Sequence, residues 1–117
     1  MAGLTTHILD TTHGTPAAGV SIRLYARNDD GDALLLTTKT NSDGRCDQPL
    51  IAAEDLKIGR YRLEFDVASY FAGKAVDLPD PPFLDQVVIN FGVNDAKAHY
   101  HVPLLVSPFG YSTYRGS

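Results

Sequence analysis

Tyr100 to Val106 reads as a strand, and an extended chain turns successive side chains to opposite faces. Tyr100, Val102, Leu104 and Val106 share one side of that strand, while His99, His101, Pro103 and Leu105 share the other. Ser107-Pro108-Phe109-Gly110 comes next as a turn, because proline sets φ at the second turn position and glycine suits the fourth. The chain must then double back. Tyr111 to Arg115 is predicted to run beside the histidine strand and to carry Tyr114, Arg115, Gly116 and Ser117 toward the imidazoles. Termini usually fray, so a polar terminus tied to a hairpin is a candidate for function. An ordinary edge strand is the plainer reading.

The same period of two recurs upstream. Leu4 to Asp10 is predicted as a short strand with Leu4, Thr6 and Ile8 on one face and Thr5, His7 and Leu9 on the other. Thr11 to Gly19, with His13, Gly14 and Pro16, is loop chemistry, and His13 is expected to be exposed there. Val20 to Arg27 alternates cleanly, with Val20, Ile22, Leu24 and Ala26 inward. Leu34-Leu-Leu36 passing into Thr37, Thr38 and Thr40 favours another strand whose facing is ambiguous. Asn41 to Arg45 is a turn in which Gly44 is suited to positive φ, and it presents Arg45 at the entrance of the next segment. Glu54 to Lys57 suits a short helical turn. Arg60 to Val67 is the cleanest strand signal, with Tyr61, Leu63, Phe65 and Val67 on one side. Ala68 to Ala72 contains no breaker and ends at Gly73, which predicts one or two helical turns. Three prolines forbid regular structure in Leu78 to Phe83, and Gln86 to Val93 is the strand that precedes the final hairpin.

Seven or eight short strands at close spacing, with almost no helix, predict an all-β chain: a two-sheet antiparallel β-sandwich with one short helix. The length of 117 residues fits a single domain, residues 1–117. A net charge of −4 argues against a nucleic-acid surface, which needs a basic stripe. No apolar run approaches the roughly 18 residues needed to span a bilayer. Met1-Ala-Gly-Leu-Thr-Thr lacks a basic region followed by an apolar one, so a cytoplasmic location is expected, or a periplasmic one for a chain whose leader has been removed. The single cysteine, Cys46, rules out an intrachain disulfide.

Three stretches together resemble the transthyretin-related 5-hydroxyisourate hydrolases: Leu4-Thr-Thr-His-Ile-Leu-Asp10, Ser42-Asp-Gly-Arg45, and the terminal segment ending Tyr114-Arg-Gly-Ser117. The resemblance is most specific at that end. The hormone-binding transthyretins are similar in Leu105-Val-Ser-Pro and Tyr111-Ser-Thr but lack the closing tetrapeptide. The resemblance implies a transthyretin-like sandwich assembled as a homotetramer, a dimer of dimers, with sites in a channel between subunits. It also implies hydrolysis of 5-hydroxyisourate to 2-oxo-4-hydroxy-4-carboxy-5-ureidoimidazoline in urate breakdown, without metal or organic cofactor. By the same resemblance His7, Arg45, His101 and Ser117 are the expected catalytic residues. Tyr114, Arg115 and Gly116 join them in binding substrate, and His99 is a supporting residue.

These residue types suit the chemistry. Opening an amide ring needs a held water, removal of its proton and a donor for the oxyanion that forms. Histidine serves proton transfer because its ordinary pKa lies near 6.5. A guanidinium offers a planar fork of donors to substrate oxygens. Each residue also has a plainer reading. A lone strand histidine is usually a solvated or hydrogen-bonded residue, and an arginine after a turn is usually a solvated charge. The two-residue spacing of His99 and His101 permits zinc, but no third ligand pattern accompanies them. Cys46 reads as a small core or interface residue in an apolar-leaning strand. The competing function is a non-catalytic carrier binding a small ligand in a subunit channel, and a zinc-dependent amidohydrolase ranks below both.

Overall fold

Residues 3–116 are described by the computed structural model. Among them lie β1 (Leu4–Asp10), β2 (Thr15–Pro16), β3 (Ser21–Asn28), β4 (Gly31–Lys39), β5 (Gly59–Phe65), β6 (Val87–Val93), β7 (Tyr100–Ser107) and β8 (Gly110–Thr113). A 3-10 turn at Ala53–Asp55 and one helix, α1 (Val67–Gly73), complete the regular structure. The strands form two four-stranded sheets, ordered β2-β1-β7-β8 and β4-β3-β5-β6. Leu4, Ile8 and Leu104 from the first sheet and Ile22, Leu24, Leu63 and Phe65 from the second are fully buried in one core. The expected all-β sandwich with a short helix is the architecture found.

One pairing departs from the antiparallel expectation. β1 and β7 run parallel, in register from Leu4 opposite Tyr100 to Asp10 opposite Val106. A tight turn forces antiparallel neighbours, but the whole second sheet lies between these two strands in sequence, so no turn dictates their direction. β5 also ends two residues before the predicted strand does, and Val67 opens α1 instead. Val67, Tyr70 and Phe71 are the residues that α1 buries, at the spacing of one helical face. The ambiguous facing of the Leu34 to Leu36 run has a physical cause. Leu24 pairs with Leu36 and Tyr25 with Leu34, so Leu35 is an extra residue that switches the facing within β4.

Beyond β1 lies a polar cluster that the sequence did not suggest. Asp10 is fully buried, and its carboxylate accepts from the Tyr70 hydroxyl at 2.7 Å and from His13 Nδ1 at 2.6 Å. The backbone N–H groups of Thr12 and His13 also donate to it. His13 is exposed, as its loop position suggested, and is also paired with Asp10 across three residues. Burial alone would raise the Asp10 pKa, but the bonds from Tyr70 and His13 outweigh it and hold the carboxyl below its usual range. Tyr70 is pushed up to about 12, first by burial and then by its bond to Asp10.

The Asp10 bonds contribute stability that is present above the ordinary carboxylate pKa and is lost as pH falls through the lowered folded value. Tyr70→Phe removes one donor from a buried carboxylate and is expected to destabilise the fold at neutral pH by about 1–3 kcal/mol. Urea unfolding should show that deficit shrinking in acid; an equal deficit at both conditions would contradict the account.

Candidate active site

The site is built where β1 and β7, far apart in sequence, lie side by side. In β1, Thr5, His7 and Leu9 point away from the core because Leu4, Thr6 and Ile8 take the inward positions. In β7, His101 and Leu105 do the same against Tyr100, Val102 and Leu104. Parallel pairing puts Thr5 opposite His101 and His7 opposite Pro103, so His7 and His101 are diagonal neighbours on one sheet face. Thr6, on the inner face, satisfies its buried hydroxyl by donating to the Val102 carbonyl at 2.6 Å.

Arg45 reaches this face through a docked turn. Asn41 closes that turn by accepting from the N–H groups of Asp43 and Arg45 on its side-chain oxygen. Gly44 has φ of +74°, and a Cβ there would stand 2.5 Å from the Ile8 carbonyl oxygen, so only glycine lets the turn lie against β1. The Gly44 carbonyl takes the Ile8 N–H at 2.8 Å. Arg45 is thereby bridged antiparallel to His7.

The chain end arrives by way of Pro103. Gly116 N–H donates to the His101 carbonyl at 2.7 Å, so alternate residues of β7 that include 101 and 103 turn their peptide groups toward the β8 side. Pro103 has no N–H to give. β8 stops opposite Leu104, and the Thr113 hydroxyl donates to the Pro103 carbonyl at 2.7 Å. The tail then bends out at Tyr114, which is 61% exposed, and returns at Gly116 onto His101. Arg115 helps to fix it: its guanidinium carbon lies 4.1 Å from the Tyr100 ring centroid, and Nη2 donates to the His99 carbonyl at 3.2 Å.

The result is an open groove of about 510 Å³ whose lining includes Thr5, Arg45, Cys46, His99 and His101. His7 stands beside the groove rather than in its lining. The His99 and His101 rings are stacked with centroids 6.5 Å apart. His101 is held below the usual histidine pKa, first by burial and then by the neighbouring basic side chains, Arg45 foremost and then His7 and His99. It is therefore neutral at physiological pH, with a nitrogen able to accept a proton.

Of the residues singled out in sequence, the fold thus gathers His7, Arg45, His99, His101 and Gly116. Tyr114 and Arg115 do not line the groove, and Ser117 lies outside the described residues. Cys46 belongs to the loop after the Arg45 bridge, not to a strand as expected, since the bridge there is a single residue pair. Burial, opposed by a bond to Thr38 and aided by Asp47, raises its thiol pKa, which disfavours the nucleophilic thiolate. Among the described residues no three His, Cys, Asp or Glu side chains converge as a metal-binding group would. Thr5 was missed, because only the β1–β7 register shows that it faces His101.

The fold and the groove together define a transthyretin-type β-sandwich whose outer sheet face carries proton-transfer groups. Residues 4–116 match the HIUase/Transthyretin family, and the chain belongs to it. It is 53% identical over 117 residues to the 5-hydroxyisourate hydrolase of Pseudomonas aeruginosa, covering 100% of this chain and 93% of that one. The structure is similar to (S)-allantoin synthase, with a TM-score of 0.92 and 40% identity over 98% of this chain, which spans 43% of that one. It is also similar to the transthyretin of Sparus aurata, with a TM-score of 0.87, 30% identity, and 99% and 97% of the two chains covered.

A Cβ on residue 116 would stand 2.7 Å from His101 Cδ2, too close for the ring to stay where it is. Gly116→Ala is expected to shift the ring resonances of His101 while leaving the denaturation midpoint unchanged, because the tail lies outside the core. An unmoved His101 signal would argue against the contact.

Proposed function

We propose that this chain hydrolyses 5-hydroxyisourate, opening its six-membered ring at an amide to give 2-oxo-4-hydroxy-4-carboxy-5-ureidoimidazoline. The observation that carries the reading is the pair of bridges, His7 with Arg45 and His101 with Gly116, beside the groove that Arg45 and His101 line. The P. aeruginosa hydrolase, similar over the full length, supports the same chemistry. Likeness of fold does not separate enzyme from carrier, since the S. aurata transthyretin superposes nearly as well as (S)-allantoin synthase. A carrier has no need of a neutral imidazole beside a guanidinium.

In the proposed mechanism His7 and His101 hold a water, and neutral His101 takes one of its protons as the oxygen attacks the ring carbonyl carbon. Arg45 stabilises the oxyanion that develops there. Collapse of the intermediate breaks the C–N bond, and the proton held by His101 passes to the departing nitrogen. The products are a carboxylic acid, which ionises, and a nitrogen bearing its new hydrogen. Tyr114, Gly116 and Ser117 are assigned to substrate binding, and Arg115 keeps the tail seated on Tyr100. The reading includes assembly as a homotetramer, a dimer of dimers, in which neighbouring copies wall the open groove. Sedimentation of the purified protein as a monomer would remove that part.

The test generates 5-hydroxyisourate with a urate oxidase and tracks its ultraviolet decay above the spontaneous rate. His101→Asn is expected to lower turnover by about 10²- to 10⁴-fold, and Arg45→Ala by about 10²- to 10³-fold. Full rates in both would end the site assignment.

The pH dependence has a definite sign. The base is active when neutral, so the rate persists as pH falls past the ordinary histidine value and is lost only below it, where His101 takes a proton. Arg45→Met removes the largest of the charges that oppose protonation, so the acid limb of its residual rate should move to higher pH. A limb that stays in place would show that Arg45 does not act on His101.

A further inference from the structure

Thr5 stands between the two imidazoles of the groove. Its Oγ1 lies 2.8 Å from His101 Nδ1 and 3.5 Å from His99 Nε2. A hydroxyl has one proton to donate and lone pairs to accept with, and a neutral imidazole carries its proton on one nitrogen only. Whatever Thr5 does at Nδ1 therefore decides whether His101 Nε2 is a donor or an acceptor. On the other side of the ring, Gly116 lies against Cδ2, the carbon bonded to Nε2, at a distance that leaves no room for a side chain.

We propose that Thr5 is a positioning residue: its oxygen accepts the Nδ1–H of His101 while its own proton turns toward His99 Nε2, which leaves an unprotonated Nε2 on His101. Arg45 shares the groove with His101 and, after burial, acts on it more strongly than either of the other imidazoles. With Nδ1 engaged by Thr5, Nε2 is the ring nitrogen left to meet a cationic groove, which a lone pair suits better than an N–H does. An unconstrained histidine prefers its proton on Nε2, so the arrangement needs an acceptor held at Nδ1, and the strand register supplies one by pairing Thr5 with His101. His99 then acts through Thr5 as the acceptor that turns the hydroxyl proton away from His101. The kinetic consequence rests on the hydrolase reading; the tautomer does not.

The experiment records long-range ¹⁵N–¹H correlations of the histidine rings in wild type, Thr5→Val and Thr5→Ser, and assays the three with 5-hydroxyisourate. Wild type and Thr5→Ser should show His101 protonated on Nδ1, and Thr5→Val should move the proton to Nε2. Turnover should fall on the order of 100-fold in Thr5→Val, with KM little changed, and recover in Thr5→Ser. A wild-type His101 protonated on Nε2, or a Thr5→Val ring with its tautomer unchanged, overturns the proposal. Wild-type turnover in Thr5→Val overturns its kinetic half. Absence of turnover in wild type itself would instead remove the hydrolase reading, and the spectra would still decide the tautomer.

Discussion

The parallel pairing of β1 with β7 is the constraint on which the rest of the molecule depends. It joins residues 96 apart in sequence, as in the Thr5–His101 bond, and it closes the sheet whose inner face completes the core. Because side chains alternate, the register that buries Leu4, Ile8 and Leu104 also sets Thr5, His7 and His101 outward together. A slip of one residue would bury the imidazoles and expose the core residues. Packing energy thus enforces the arrangement of the groove.

Around that pairing, the groove is assembled from features that interrupt regular structure. Gly44 allows a turn to approach the β1 backbone more closely than any side chain would permit, and Arg45 comes directly after it. Pro103 withholds a donor where β8 would otherwise continue, and the freed tail folds back onto His101. Arg115 spends its charge on the Tyr100 ring and the His99 carbonyl, so it belongs to the frame of the proposed site. The electrostatics arise from the crowding. Burial and three neighbouring basic side chains disfavour a proton on His101, which keeps the resting imidazole in the neutral form that the proposed base starts from.

Alternation, turn chemistry and the scarcity of helix made the sandwich legible. The strand faces of Leu4 to Asp10 and Tyr100 to Val106 could be read from strand alternation, with Pro103 the exception that is buried on the imidazole side. The Ser107 to Gly110 turn was legible for the same local reason. Where local signals ended, so did legibility. Nothing local tells β1 to run parallel to β7, places Leu35 as the extra residue of β4, or pairs His13 with Asp10 under Tyr70.

The sequence by itself therefore determined most of the strands, the inward faces of those that alternate cleanly and most of the chemically capable residues, since these depend on neighbours a few positions away. Only the tertiary structure decided which of those residues meet. The bond from Thr5 to His101 and the docking of Gly116 and Arg45 depend on strand register and loop closure between distant segments. Those are settled by the burial of a shared core, a property of the whole chain that no short stretch of it encodes.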